Sequence, residues 1–375
     1  MSSINDSPLL SFIVLSYNYE AYIGKTIESI LCQTLQDFEV IVVDDASSDN
    51  SCAVVENFRD PRIRLFRNAI NLGGARSYNR AVELARGEWL VNLDADDWIA
   101  PEKSAIQLAV LTANPGVDII GTHVSFFDGN GQPHPAADQF GEHTNTNKDL
   151  NLLDSWIAEN RLCRSSTMMR RSTHLRIGLD DPDMVRAPDY ELWTRALRLG
   201  CRFLVIPEKL TSVRVQSRGV THGDPVGAAL EKAWIGLRNL RPHAEKISAW
   251  PSFEKFMDTV ACDTNLAGLE AAQRYRLFAA LCLEIPLDNF GQFKRFLDTQ
   301  DREKERIGRR LFALSLGKNS AKDHVIEKLY ADIGLYIEAR DYWQRIAQDT
   351  SIGSLLLMGK RIVKRFVKPL KCSQA

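Results

Sequence analysis

Along residues 9–101 the apolar positions follow two alternating rhythms. Short apolar runs rich in β-formers occupy residues 9–16, 38–43, 63–66 and 89–93, the pattern of buried strands. Between them the period changes. Residues 21–33 place Ile23, Ile27, Ile30 and Leu31 on one helical stripe, and residues 74–85 do the same with Ala75, Ala81, Val82 and Ala85. Pro101 opens a further helix at its first turn, where proline is tolerated. Strand–helix alternation of this kind predicts an α/β fold, with a mostly parallel central sheet flanked by helices.

Each polar cluster in this part follows a strand. Ser16-Tyr17-Asn18 follows the first, Asp44-Asp45 the second, Asn71-Leu-Gly-Gly-Ala-Arg76 the third and Asp94-Ala95-Asp96-Asp97 the fourth. In open parallel sheets, ligands bind beyond the carboxyl ends of the strands, so these carboxylates are expected to meet at one edge. Asp94 and Asp96, two residues apart at a strand end, offer hard oxygen ligands suited to Mn²⁺ or Mg²⁺ beside a substrate phosphate. The alternative is a solvated turn in which an aspartate caps the next helix. A carboxylate at Asp44 or Asp45 can accept from a base N–H or from ribose hydroxyls, while the following serines offer helix caps. The glycines before Arg76 let backbone approach a ligand at a helix N-terminus. Asp189 stands where another helix begins, either as a first-turn carboxylate or as a general base presented there.

Composition narrows the choice of partners. The 375 residues suit one large or two ordinary domains, and 45% hydrophobic with 25% charged residues is ordinary globular material. A formal charge of −1 argues against a nucleic-acid binder that works through a broad basic field. Seven cysteines lie scattered without C-x-x-C spacing, so neither a zinc site nor a disulfide framework is expected. The N-terminal MSSINDSPLL lacks a basic n-region before an apolar core, and no run is long enough to span a bilayer, so a cytoplasmic location is expected.

Taken together, residues 9–222 resemble the family 2 inverting glycosyltransferases of the GT-A fold. The resemblance is carried by Ile13-Val-Leu-Ser-Tyr-Asn18, Ile27-Glu-Ser-Ile-Leu-Cys-Gln-Thr34, Val42-Val-Asp-Asp-Ala-Ser-Ser-Asp49, Asn71-Leu-Gly-Gly-Ala-Arg76, Leu93-Asp-Ala-Asp-Asp97 and Pro188-Asp-Tyr-Glu-Leu-Trp193. It implies that Ser16, Tyr17, Asn18, Asp44, Asp45 and Arg76 line the nucleotide pocket. It further implies that Asp94-Ala95-Asp96 is a metal-binding D-x-D motif, with Asp96 favoured for direct metal contact, and that Asp189 is the catalytic base. Pro188 replaces the glutamate usual before that aspartate, which hints at an altered acceptor site. The implied activity is an inverting, metal-dependent hexosyltransferase that moves a sugar from a nucleotide diphosphate sugar, UDP-sugars favoured, to a glycan or lipid-linked hydroxyl in cell-surface polysaccharide synthesis. Arg214, Arg218 and His222 lie in a segment resembling the loop near which related enzymes close over the diphosphate, where each would supply positive charge; the equal alternative is a mobile solvated loop.

Two other readings compete. A sugar-nucleotide pyrophosphorylase would want a glycine-rich loop after the first strand, where this chain has Ser16-Tyr17-Asn18. A catalytically silent sugar-nucleotide-binding or scaffolding protein is favoured only by Pro188, against intact Asp94, Asp96 and Asp189.

Beyond residue 224 the strand pattern fades. Residues 228–240, 253–269, 271–284, 290–297, 302–316 and 325–347 read as helices by spacing. The expected division is a catalytic domain over 1–223 and a helical domain over 224–375, whose surface would serve a homo-oligomer. Residues 354–371 interleave Leu355, Leu356, Ile362, Val363, Phe366 and Val367 with basic residues. That composition fits a helix lying on an anionic membrane surface, and equally a terminal helix packed on its own domain with a solvated basic face.

Overall fold

The structure is a computed structural model that describes residues 7–216, 223–283 and 285–316. Its centre is an eight-stranded sheet in the order β3-β2-β1-β4-β7-β6-β8-β5. The strands are β1 (Leu10–Ser16), β2 (Phe38–Asp44), β3 (Ile63–Arg67), β4 (Trp89–Asp94), β5 (Trp98–Ile99), β6 (Ile119–Phe127), β7 (Met168–Arg170) and β8 (Phe203–Arg214). Neighbours β1–β2, β1–β4, β2–β3 and β6–β8 are parallel, whereas β7 runs antiparallel to β4 and β6, and β5 antiparallel to β8. The four strands expected from the apolar runs are all present. The other half of the sheet, β5 to β8, was not expected.

Helices α1 (Ile23–Leu31), α2 (Ser51–Asn57), α3 (Gly74–Leu84), α4 (Lys103–Ala113), α5 (Ala137–Thr144), α6 (Arg171–Ile177) and α7 (Pro188–Arg198) alternate with these strands. Successive side chains of β1 point to opposite faces, which separates two apolar layers. Phe12 and Val14 pack with Ile23, Ile27 and Ile30 of α1 on one face. Ile13 joins the other layer, with Tyr78 and Ala81 of α3 and Trp193 of α7.

That second layer continues into the C-terminal helices. These are α8 (Pro225–Ile235), α9 (Arg241–Lys246), α10 (Trp250–Ala261), α11 (Ala271–Cys282), α12 (Phe290–Asp298) and α13 (Arg302–Leu316). Trp234, Phe253, Phe256 and Phe278 share one buried cluster with Ile13, Ile41 and Trp193, and the C-terminal helices join that layer through α7. A π-helical turn, Gly236–Leu240, links α8 to α9 where a single helix was expected. A Cβ on Gly236 would lie 1.9 Å from Phe256, so the turn needs glycine for close approach. The expected helix over 253–269 instead ends at Ala261, and Asp263 caps a short 3₁₀ turn after it. Among the described residues no helix is long and apolar enough to cross a membrane. The expected helix over 325–347 and the basic stretch 354–371 lie outside the described residues.

Candidate active site

Register fixes where the acidic residues emerge. Ser16 pairs with Asp44 and Leu15 with Asp94, so the carboxyl ends of β1, β2 and β4 finish level at one sheet edge. At that edge Asp94–Asp97 forms a turn closed by the Asp97 N–H donating to the Asp94 carbonyl at 3.0 Å. The Thr26 hydroxyl of α1 lies 2.8 Å from both the Ala95 and Asp97 carbonyls and holds the turn from below. The Asp94 N–H donates to Ser165 Oγ at 3.1 Å. The carboxylates then diverge in role. Asp94 faces solvent, whereas Asp96 and Asp97 are buried. Asp96 accepts from Gln216 Nε2 at 2.5 Å, and Asp97 from the Arg214 N–H at 2.8 Å.

Arg214 is the clasp of this corner. Its guanidinium donates to the carbonyls of Asp96, Asp128 and Gly129 at 3.2, 3.0 and 2.8 Å, and it lies over the rings of Tyr22 and Trp98. Arg218 and His222, expected near it, lie outside the described residues.

Three crowded carboxylates raise one another's proton affinity. Although Asp94 is open to solvent on one side, the protein around the rest of its carboxylate and then the Asp96 charge push it up to about 6, while Arg164 partly offsets the rise. Burial raises Asp96, relieved by Gln216, and burial with both neighbours raises Asp97 well above the usual range. Burial and the same three carboxylates push the Tyr19 phenol up as well, which places that ring beside the cluster. Among the described residues no Lys or Arg forms an ion pair with any of the three. Uncompensated hard oxygens fit a divalent cation. No set of three His, Cys, Asp or Glu ligands exists among the described residues, so such an ion would be held by Asp94 and Asp96 with phosphate oxygens of a ligand.

Asp189 sits in the first turn of α7 behind Pro188, which fills a first-turn position where its missing N–H costs nothing. Asp189 Oδ2 accepts from Asn160 Nδ2 and Oδ1 from the Tyr190 N–H, both at 2.8 Å. Burial raises its carboxyl, and Arg164 opposes the rise. The Asp189 charge adds to the rise of Asp94, and Arg164 opposes the rise of both. Arg164 itself pairs with buried Asp180 at 2.8 Å and lies 4.2 Å over the Tyr78 ring. Arg164, Asn160, Ser165 and Gln216 were not expected from the sequence. No local spacing marks them, because each acts across the fold.

The residues expected to line a nucleotide pocket lie along the same edge. Tyr17 is exposed, and the Ser16 hydroxyl is buried without a partner among the described residues. Asn18 has a positive φ of 60°; its N–H donates to Ser47 and its side chain accepts from the Ser48 N–H, joining the loops after β1 and β2. Both acidic residues after β2 are engaged internally. Asp44 accepts from the Ser47 N–H and hydroxyl. Asp45 accepts from Asn68 Nδ2 and from the N–H groups of Leu72 and Gly73, at 2.7, 2.8 and 2.8 Å. Arg76, in the first turn of α3, is half-exposed and 3.4 Å from Asp183.

An open mixed sheet carrying an acidic turn at its carboxyl edge, flanked by helices, is a GT-A-like architecture. Residues 11–176 match the family model for glycosyl transferase family 2. The chain is 30% identical over 217 residues to an uncharacterized glycosyltransferase of Methanocaldococcus jannaschii, a match covering 57% of this chain and 73% of the relative. It is 39% identical over 126 residues to the Escherichia coli UDP-Glc:alpha-D-GlcNAc-diphosphoundecaprenol beta-1,3-glucosyltransferase WfgD, covering 33% of this chain and 46% of that protein. Among solved structures, S. aureus TarS superimposes with a TM-score of 0.54 at 18% identity, covering 83% of this chain and 53% of TarS. The chain belongs to glycosyl transferase family 2.

Proposed function

We propose that this chain transfers a sugar from a nucleotide diphosphate sugar, a UDP-sugar by preference, to a hydroxyl of a glycan or lipid-linked acceptor with inversion at the anomeric carbon. The observation that carries the reading is Asp189, a carboxylate of raised proton affinity, oriented by Asn160 and lying within the field of Asp94. Asp189 takes the proton from the acceptor hydroxyl as that oxygen attacks the face opposite the diphosphate. The bond to the diphosphate breaks in the same displacement, so no covalent enzyme intermediate is needed. Asp94 and Asp96 would hold Mn²⁺ or Mg²⁺, which when bound neutralises charge on the leaving diphosphate. Ser16, Tyr17, Asn18, Asp44, Asp45 and Arg76 line the nucleotide side, Asp44 and Asp45 chiefly by shaping the loops there. The named substrates of WfgD, a UDP-sugar and a diphosphoundecaprenol-linked sugar, support the donor class and a lipid-linked acceptor in polysaccharide synthesis.

In this reading residues 1–223 carry donor and base. Residues 224–375 supply the helical part, a surface for self-association, and a membrane contact through the basic stretch 354–371. Liposome pull-down with and without residues 350–375 tests that contact, and equal binding removes it. Donor class is tested by thermal shift with UDP-, GDP- and dTDP-sugars, with and without Mn²⁺. The role of Asp189 is tested by Asp189→Asn, which keeps donor affinity and loses transfer. Normal turnover by that variant removes Asp189 as the base.

A further inference from the structure

Glu231, in the middle of α8, is fully buried and accepts three consecutive backbone N–H groups. The N–H of Val185 reaches one carboxylate oxygen at 2.8 Å, and those of Arg186 and Ala187 reach the other at 2.8 and 2.7 Å. Ala187 is the residue from which α7 starts, and Asp189 lies two residues further on. A negative group placed there also faces the positive end of the α7 dipole. The grip is reinforced by Arg186, whose guanidinium pairs with Asp224 at 2.8 Å at the start of α8 and lies 3.7 Å from Glu231. Gly227 permits that closeness, since a Cβ there would sit 2.5 Å from the Asp224 carboxylate and 2.9 Å from Arg186.

We propose that Glu231 is a positioning residue for transfer: a carboxylate of the C-terminal helices that fixes the backbone before α7 and thereby aims Asp189. The inference rests on Asp189 being the base. The body of α7 is held by other means. Leu192, Trp193 and Ala196 are fully buried, and the Trp193 indole donates to the Leu162 carbonyl at 3.1 Å. Only the first turn depends on the Glu231 hook, so its loss should move Asp189 while leaving the helix and the donor side in place. The C-terminal helices thus complete the catalytic geometry from outside the strands that bind the donor.

The test compares Glu231→Gln, Glu231→Ala, Asp189→Asn and the Glu231→Gln/Asp189→Asn double variant in the full chain. Turnover is read as nucleotide released from the sugar nucleotide that the wild type hydrolyses fastest in Mn²⁺, with UDP affinity measured by calorimetry. Displacing a base by up to about 1 Å costs up to about a hundredfold, so kcat of Glu231→Gln should fall by about tenfold to hundredfold with donor KM and UDP affinity within about twofold. The double variant should be no slower than Asp189→Asn alone, because the effect runs through the same carboxylate. If Glu231→Ala fails to fold, Glu231→Gln, which keeps one acceptor oxygen, carries the test. Unchanged kcat in Glu231→Gln, or an undiminished loss on the Asp189→Asn background, overturns the inference and leaves the role of Asp189 standing. Wild-type turnover by Asp189→Asn overturns both.

Discussion

The side-chain amide of Asn160 donates to Asp189 Oδ2 at 2.8 Å, and the N–H of Tyr190 occupies Oδ1, so the Asp189 carboxylate is held at both oxygens. A base held in this way presents its remaining lone pairs in fixed directions, which matters more for proton removal than its affinity does. Asn160 comes from an irregular segment between two short 3₁₀ turns, whereas Asp189 comes from a helix start. Their meeting is therefore a tertiary event.

Removing Asn160 should act on catalysis rather than on binding. Asn160→Ala is expected to lower kcat by about tenfold to hundredfold with little change in donor KM. Steady-state kinetics with saturating Mn²⁺ checks this. An equal rise in KM would instead assign Asn160 to donor binding.

Asp45 should prove to be a loop clamp. Its three hydrogen bonds tie Asn68, Leu72 and Gly73 to the end of β2, at a turn where Gly73 supplies a positive φ of 84°. Asp45→Ala leaves those donors without their acceptor and is expected to cost about 2–4 kcal/mol of stability. Urea unfolding measures the loss. Stability equal to the wild type would show that water replaces the carboxylate without penalty.

How much of this was readable beforehand follows from the kind of contact involved. Strands β1, β2 and β4 are almost wholly buried and therefore appear as apolar runs, whereas β3 at the sheet edge is half-buried and shows only as a short run with Arg64 inside it. Strand β8 carries Pro207, Glu208 and Lys209 where its register against β6 shifts at Thr122 and His123, so its pattern looks like a loop. Asp94, Asp96 and Asp189 stand at the ends of regular elements, where spacing points to them. Arg164 and Glu231 do not. Glu231 meets Val185 across 46 residues, and nothing near either residue announces the pairing. Arg76, by contrast, was visible as a cation after a glycine turn, and the structure adds its nearness to Asp183.

The acidic turn should bind metal only together with a ligand. With two protein carboxylates available and phosphate oxygens needed to complete the shell, Mn²⁺ alone should shift the melting temperature little. UDP with Mn²⁺ should stabilise the wild type by up to about 3 kcal/mol near a hundredfold excess over Kd. Asp94→Asn and Asp96→Asn should lose that increment, as should addition of EDTA. Thermal shift across these conditions decides it. A UDP response that is unchanged by EDTA would mean that the diphosphate is held without a metal.

Lys103 makes the sharpest pH prediction. It opens α4 completely buried, and its ammonium has no hydrogen-bond partner among the described residues. Burial pushes it from 10.5 down to about 7, with Cys163 pulling weakly the other way. Between those values the unfolded chain holds a proton that the folded chain has given up, so stability should rise with pH across this window. Below about 7 both states are protonated and the full penalty remains. Lys103→Met keeps the length of the side chain and removes the charge, so it should stabilise the protein at pH 7 by on the order of a few kcal/mol. The advantage should shrink by about 1.4 kcal/mol for each pH unit above 7. Urea unfolding of both proteins at pH 7, 8 and 9 isolates this one group, because the other titrating residues are common to the pair. A gap that stays constant with pH would mean that Lys103 keeps its charge in the folded state.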